Sequence, residues 1–242
     1  MAPAPAQSSM PVTYCFTPPA VVSVPIVGRS ERFPVHRIYC VGRNYAEHAK
    51  EMGFSGREPP FFFMKPADAV LAVAAGQTGR LPYPTLTTNF HYELELVAAL
   101  GVGGHHIMAA DARAHLFGYA VGLDMTRRDL QNDAKKQGRP WCISKGFDHS
   151  APIGPITPAA QAGDLEAAEI VLEVNGQTRQ RSRINQMIWN LAEVIEHLSA
   201  AWELQAGDLI YTGTPEGVGA VTHGDQLHGS VTGLTPLSVR VD

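Results

Sequence analysis

The stretch HYELELVAAL, residues 91–100, carries the clearest alternation in the chain. His91, Glu93 and Glu95 fall on one side of an extended strand, and Tyr92, Leu94 and Leu96 on the other. A strand rises roughly 3.3 Å per residue, so the two glutamates stand about 7 Å apart on a shared face. Two readings follow. If the face is solvated, the pair is the ordinary polar side of a half-exposed strand. If it is buried, two like charges in low dielectric require a cation between them.

A second segment favours the cation. HLFGYAVGLDM (115–125) reads as an apolar strand that ends in a charge, Asp124. Together Glu93, Glu95 and Asp124 form an all-oxygen donor set, which suits Mg²⁺ or Mn²⁺, with Ca²⁺ as an alternative, and leaves positions open for water and substrate. Zinc finds no support, because the chain has no HExxH.

Further strands are expected at RIYCVGRN (37–44), PPFFFMKP (59–66), DLIYTGTP (208–215) and LTPLSVRV (234–241). EIVLEVNGQTRQRS (169–182) reads as a hairpin turning at Asn175-Gly176. AEHAKEM (46–52) predicts a short helix, and TRRDLQNDAKKQG (126–138) a second one with Thr126 as cap and Gly138 as stop. INQMIWNLAEVIEHLSAAW (184–202) predicts one long amphipathic helix with Ile188, Leu191, Ile195 and Leu198 as its apolar stripe. Strands outnumber helices without a βαβ rhythm, which indicates an α+β, largely β fold. Residues 1–35 read as an N-terminal tail and arm, and 36–242 as one catalytic domain.

The 242 residues are 45% hydrophobic and carry a net charge of −4, which gives a sizeable core and no basic field for nucleic acid. Cys15, Cys40 and Cys142 are too scattered for a disulfide framework and read as small buried hydrophobes. No apolar stretch reaches the roughly 20 residues of a membrane helix, and MAPAPAQSSM lacks the pattern of a signal peptide. The expectation is a cytoplasmic protein with neither membrane nor nucleic-acid partners.

Other residues suit catalysis. His48 and Glu51, three apart on the short helix, share a face; they are either an exposed pair or a carboxylate-oriented base. Lys145, after the apolar Trp141–Ile143, is either a surface lysine or a desolvated cation near developing negative charge. Arg127, Arg128, Lys135, Lys136 and Arg139 are either solvated or partly turned to an anionic substrate. GTPEGVG (213–219) lacks the Lys-Ser/Thr of a nucleotide-binding loop. His105 and His106 read as surface residues.

In order along the chain, IYCVGRNYAEHAKEMG, PPFFFMKP, HYELELVAALG, GYAVGLDMTRRDLQ, GRPWCISKGFD, VNGQTRQ and GDLIYTGTPEGVG resemble the fumarylacetoacetate hydrolase family over residues 36–242. The resemblance is strongest to its acylpyruvate hydrolases, those acting on fumarylpyruvate in gentisate-type aromatic degradation above all. It implies a mixed β-sandwich roll, a homodimer, and a diketo acid substrate cleaved with water. It implies metal ligation by Glu93, Glu95 and Asp124, and catalysis by His48, Glu51 and Lys145. Arg43, Lys65, Arg128, Gln131, Gly213 and Thr214 are the expected substrate contacts. Oxaloacetate decarboxylation or 2-hydroxy-diene-dioate isomerisation is the alternative on the same fold. A non-enzymatic metal-binding scaffold is disfavoured, since every catalytic role has a residue to fill it.

Overall fold

The computed structural model describes residues 12–47 and 57–242. The stretch 91–100 forms two strands separated by Glu93, β7 (Phe90–Tyr92) and β8 (Leu94–Leu100), and every residue of β8 is buried. Its two faces enter different apolar clusters: Leu94 and Leu96 pack in one, Val97 and Ala99 in another. A strand covered on both sides is apolar almost throughout, which is why VAAL follows the alternating part.

β8 sits in an eight-stranded mixed sheet. Its spatial order is β4 (Phe61–Lys65), β3 (Ile38–Gly42), β15 (Leu209–Tyr211), β8, β9 (Leu116–Leu123), β11 (Ala151–Ile153) and β5 (Val70–Ala72), with β12 (Thr157–Pro158) also on β9. β15 runs parallel to β3 and antiparallel to β8. A five-stranded sheet, β14 (Gln177–Arg183), β13 (Glu169–Val174), β17 (Gln226–Val231), β18 (Leu237–Val241) and β6 (Thr78–Leu81), shares a core with it. There Ile170, Leu172, Val231 and Val239 join Leu94, Leu96, Val121 and Leu123. Each such fully buried side chain contributes about 1.5–3 kcal/mol relative to exposure. A small sheet of β10 (Thr126–Arg127), β7 and β16 (Gly219–Val221) closes one end. The result is the expected α+β, largely β sandwich.

The hairpin turn is as read: Asn175 and Gly176 both have positive φ, 52° and 74°, as a type I′ turn requires. The helices differ in extent. The helix expected from Thr126 is α1 (Arg128–Gln137); Thr126 belongs to β10, opposite His91, and caps nothing. Gly138 does end it, at φ 62°. Next come two single turns, α2 (Cys142–Lys145) and α3 (Ala159–Ala162). The long helix expected over 184–202 is a short 3-10 turn at Ile184–Gln186 followed by α4 (Leu191–Ala201). Asn190 sets that boundary through a capping box: its side chain accepts from the Glu193 N–H, and the Glu193 carboxylate accepts from the Asn190 N–H. Ile188 therefore lies outside the helix, its N–H bonded to the Asn44 carbonyl.

Within the expected arm, β1 (Ser23–Pro25) pairs with β2 (Arg32–Pro34). Val24, Ile26, Phe33 and Val35 pack into the cluster that holds Ile38, Ile153 and Leu209. Of the cysteines only Cys40 is buried; Cys15 and Cys142 are exposed, contrary to expectation. Among the described residues no helix is long and apolar enough to cross a membrane.

Candidate metal centre

Strand register brings the three carboxylates together. Leu94 faces Leu123 and Glu95 faces Gly122 across the β8–β9 ladder. The next pair outward is Glu93 with Asp124, joined by the Asp124 N–H donating to the Glu93 carbonyl at 2.8 Å. Directly opposed residues share a face, so Glu93, Glu95 and Asp124 converge. One oxygen from each lies within 4.8 Å of the others, and all three side chains are buried. Gly122 permits this close packing, since a Cβ there would stand 2.6 Å from Val97 Cγ2 and 2.8 Å from Tyr211 Cε1.

Three buried cations accompany them. Lys145 Nζ donates to Glu93 Oε2 at 2.9 Å and Asp124 Oδ2 at 2.7 Å. Arg128 Nη2 donates to Glu93 Oε1 at 2.5 Å. Lys65 Nζ lies 2.8 Å from Asp124 Oδ1 and donates to the carbonyls of Met125 and Lys145. Burial alone lowers the Lys145 ammonium, but Asp124 and Glu93 outweigh it and hold its pKa above the ordinary lysine value.

Glu95 has no ion-pair partner among the described residues; its Oε2 accepts from the Gly213 N–H at 2.8 Å. Burial first, and then the Asp124 and Glu93 charges, push its carboxyl well above the usual glutamate range. Asp124 Oδ1 is buried and, though near Lys65, makes no aligned hydrogen bond. A raised carboxyl and an under-used carboxylate oxygen, in a set of hard oxygens, fit a divalent ion such as Mg²⁺ or Mn²⁺.

Glu93, Glu95, Arg128 and Lys145 of the cluster line the bottom of a small pocket, with Asp124 and Lys65 behind them. One wall is helix α1, whose Arg128, Gln131 and Lys135, at i, i+3 and i+7, lie on one stripe. The facing wall is aromatic, from Phe61, Phe63 and Trp141. Trp141 meets Phe61 edge-on at 5.3 Å and lies 5.6 Å from Phe63.

Of the substrate contacts expected from the sequence, Arg43, Arg128, Gln131 and Thr214 line the pocket. Lys65 and Gly213 do not: Lys65 is spent behind Asp124 as a structural counter-ion, and the Gly213 amide is spent on Glu95. Lys145 is fully enclosed, which excludes the surface-lysine reading. Of the basic cluster only Arg128 and Lys135 turn inward; Lys136 and Arg139 are exposed, and Arg127 covers the Phe147 ring.

His48 and Glu51 lie outside the described residues; of the short helix expected over 46–52 only Ala46 and Glu47, both helical, are described. Their flanks are fixed at one place. The Asn44 side chain donates to the carbonyls of Trp189 and Thr212, and on the C-terminal side the Arg57 guanidinium lies 3.9 Å over the Trp189 ring. Trp189 Nε1 donates to the Glu58 carbonyl at 3.0 Å.

Three supporting residues are not legible in the sequence as part of the site, although the strand alternation places His91 on the face of Glu93 and Glu95. His91 Nε2 donates to Asn89 Oδ1, which leaves Nδ1 to face Arg128 Nε at 3.4 Å. Burial and the Arg128 charge lower the pKa of His91 to about 4, so it stays neutral. Thr126 Oγ1 donates to Glu93. Gln180, buried in β14, accepts from the Leu94 N–H and donates to Thr214 Oγ1 and the Pro215 carbonyl, tying β8 to the loop after β15.

The family described as "Fumarylacetoacetate (FAA) hydrolase C-terminal" matches residues 37–242. A fumarylpyruvate hydrolase of Ralstonia sp is 46% identical over 184 residues, 76% of this chain and 93% of that protein. The mitochondrial oxaloacetate tautomerase of Rattus norvegicus is 38% identical, covering 85% of this chain and 91% of its own length. Among solved structures, the fumarylpyruvate hydrolase from Pseudomonas aeruginosa in complex with Mn²⁺ and pyruvate superposes with a TM-score of 0.93. It is 59% identical and covers 95% of this chain and 99% of its own.

Proposed function

The chain belongs to the fumarylacetoacetate hydrolase family, and from that premise we propose that it uses water to split the carbon–carbon bond of an acylpyruvate, converting fumarylpyruvate to fumarate and pyruvate. The observation that carries this reading is the buried cluster of three carboxylates and three cations at the base of a small aromatic-walled pocket, into which Glu93, Glu95, Arg128 and Lys145 open. Such a floor suits a 2-keto acid, and the flat wall suits the conjugated acyl group.

Glu93, Glu95 and Asp124 hold the divalent ion, Mg²⁺ or Mn²⁺, which supplies Lewis-acid chemistry to the keto-acid oxygens when bound. Arg128 and Gln131 orient the pyruvyl end, with Thr214 beside them. Arg128 is itself held by Gln131 Oε1 at 2.6 Å and by neutral His91. His48, oriented by Glu51, takes a proton from water. The hydroxide oxygen bonds to the distal carbonyl carbon, and the bond from that carbon to the methylene breaks. Its electron pair passes to the pyruvyl fragment, where the Lys145 ammonium faces the developing charge. The proton held by His48 returns to the methylene carbon, giving pyruvate, and the acyl part leaves as fumarate. We place the enzyme in the cytoplasm as a homodimer; the exposed apolar Val12, Tyr14, Phe16 and Val21 of the arm support pairing with a second copy.

The test is to add Mg²⁺ or Mn²⁺ and follow the ultraviolet absorbance of fumarylpyruvate with purified protein. Metal-dependent loss is expected, abolished by EDTA. Unchanged fumarylpyruvate beside rapid turnover of oxaloacetate sinks the hydrolase reading and leaves the decarboxylase or tautomerase chemistry of the relatives in its place.

A further inference from the structure

The pocket holds two kinds of cation. Those on its floor, Arg128 and Lys145, are matched by carboxylates at 2.5–2.9 Å. Lys135, on the outermost turn of the α1 stripe, is not: it lines the pocket, is partly buried, and has no carboxylate partner among the described residues. An ammonium withdrawn from water without an anion is an unfavourable arrangement that a bound anion relieves.

Ring contacts fix where it stands. Lys145 Nζ lies 5.0 Å from the Phe63 ring, Phe63 lies 5.6 Å from Trp141, and Lys135 Nζ lies 5.3 Å over the Trp141 ring. The order along the wall is therefore inner ammonium, ring, ring, outer ammonium. Arg43 is nearby, but its guanidinium sits over Phe61 at 4.7 Å with Glu58 at 4.0 Å, so its charge is already shared. A ligand that fills this space has an anionic keto-acid end at the floor, a flat apolar middle, and a second anion at the rim.

We propose that Lys135 pairs with the far carboxylate of the substrate and so makes the enzyme selective for dicarboxylic over monocarboxylic acylpyruvates. The inference rests on the acylpyruvate reading and deepens it. The Trp141 π face beneath the ammonium favours its charged form without occupying its N–H donors. The α1 backbone sets its distance from Arg128, so inner and outer anion contacts are built on one rigid element.

The experiment measures kcat and KM of wild type, Lys135→Met and Lys135→Arg on fumarylpyruvate and on acetylpyruvate, whose distal group is a methyl. Calorimetric binding of fumarate to each Mn²⁺-loaded protein accompanies it. Lys135→Met is expected to lower the fumarylpyruvate-to-acetylpyruvate ratio of kcat/KM at least tenfold, chiefly through KM, and to weaken fumarate by a similar factor. Lys135→Arg is expected to restore most of both. An unchanged ratio with unchanged fumarate affinity overturns the assignment, whatever happens to overall rate. Wild-type protein inactive on both substrates overturns the hydrolase reading instead, and the fumarate titration still tests Lys135.

Discussion

Replacing Glu95 with glutamine changes one buried charge and almost no volume. In the metal-free protein its neighbours are Glu93 and Asp124, with donor oxygens no more than 4.8 Å away. Two unit charges at that separation repel by at least about 3.5 kcal/mol at an effective dielectric constant near 20. The three buried cations offset much of this, so where the carboxyl is ionised its removal is expected to stabilise by about 2 kcal/mol, the ordinary scale for one buried group, or roughly 4–8 °C for a chain of this length. The Gly213 N–H, 2.8 Å from Glu95 Oε2, still finds an acceptor in the glutamine carbonyl. The sign with pH follows from the raised carboxyl. A carboxyl whose folded value exceeds its unfolded one takes up a proton on folding, so its stability contribution is complete below the unfolded value and is lost as pH rises toward the folded one. Glutamine has no such slope. Thermal unfolding in EDTA at pH 5 and pH 8 should show Glu95→Gln gaining on wild type as pH rises. Added MnCl₂ should raise the wild-type midpoint and leave the variant nearly unmoved. A variant less stable than wild type at pH 8, or one with the full Mn²⁺ response, refutes the reasoning.

His48→Ala should keep the Mn²⁺-induced rise in melting temperature yet lose about 10²- to 10⁴-fold in hydrolysis rate, the usual contribution of a positioned base; wild-type turnover would remove His48 from the mechanism. Asn190→Ala breaks the capping box of α4 and should cost about 1 kcal/mol in urea unfolding, with no change in KM. Burial, together with the Arg128, Lys145 and Arg43 charges and against that of Glu93, lowers Lys135 to about 8. The ammonium is therefore charged below that pH, and kcat/KM for fumarylpyruvate should fall as pH rises through it. A profile of the same shape in Lys135→Met would assign the fall to another group.

The sequence exposes the parts of this fold that depend on local pattern. The Glu-x-Glu alternation, the Asn175-Gly176 turn and the Gly138 stop each have a short-range cause, and each is found where it was read. The long helix over 184–202 misled because periodic apolar residues continue past the true start, while the stronger signal was Asn190 with Glu193 three residues on. Strands such as β5, β11 and β16 have three residues apiece and owe their conformation to partners far along the chain, so no periodicity announces them. The carboxylates were legible because their register is local to β8 and β9. The division of the cations was not. Nothing in PPFFFMKP distinguishes a lysine buried behind Asp124 from one facing substrate, and nothing in DAKK says which lysine turns inward.

The buried cluster pairs three carboxylates with three cations, and that balance couples a metal ion and an anionic ligand bound beside it. A dication arriving alone leaves an excess of two charges in a poorly polarisable interior, and a dianion arriving alone leaves the opposite excess. Together they leave none. Each must then raise the affinity of the other, and by the same factor, because the coupling free energy belongs to the pair. Metal occupancy should then rise with substrate level, and Mn²⁺ titrations with and without added pyruvate would show it as a more tightly held ion in the first case.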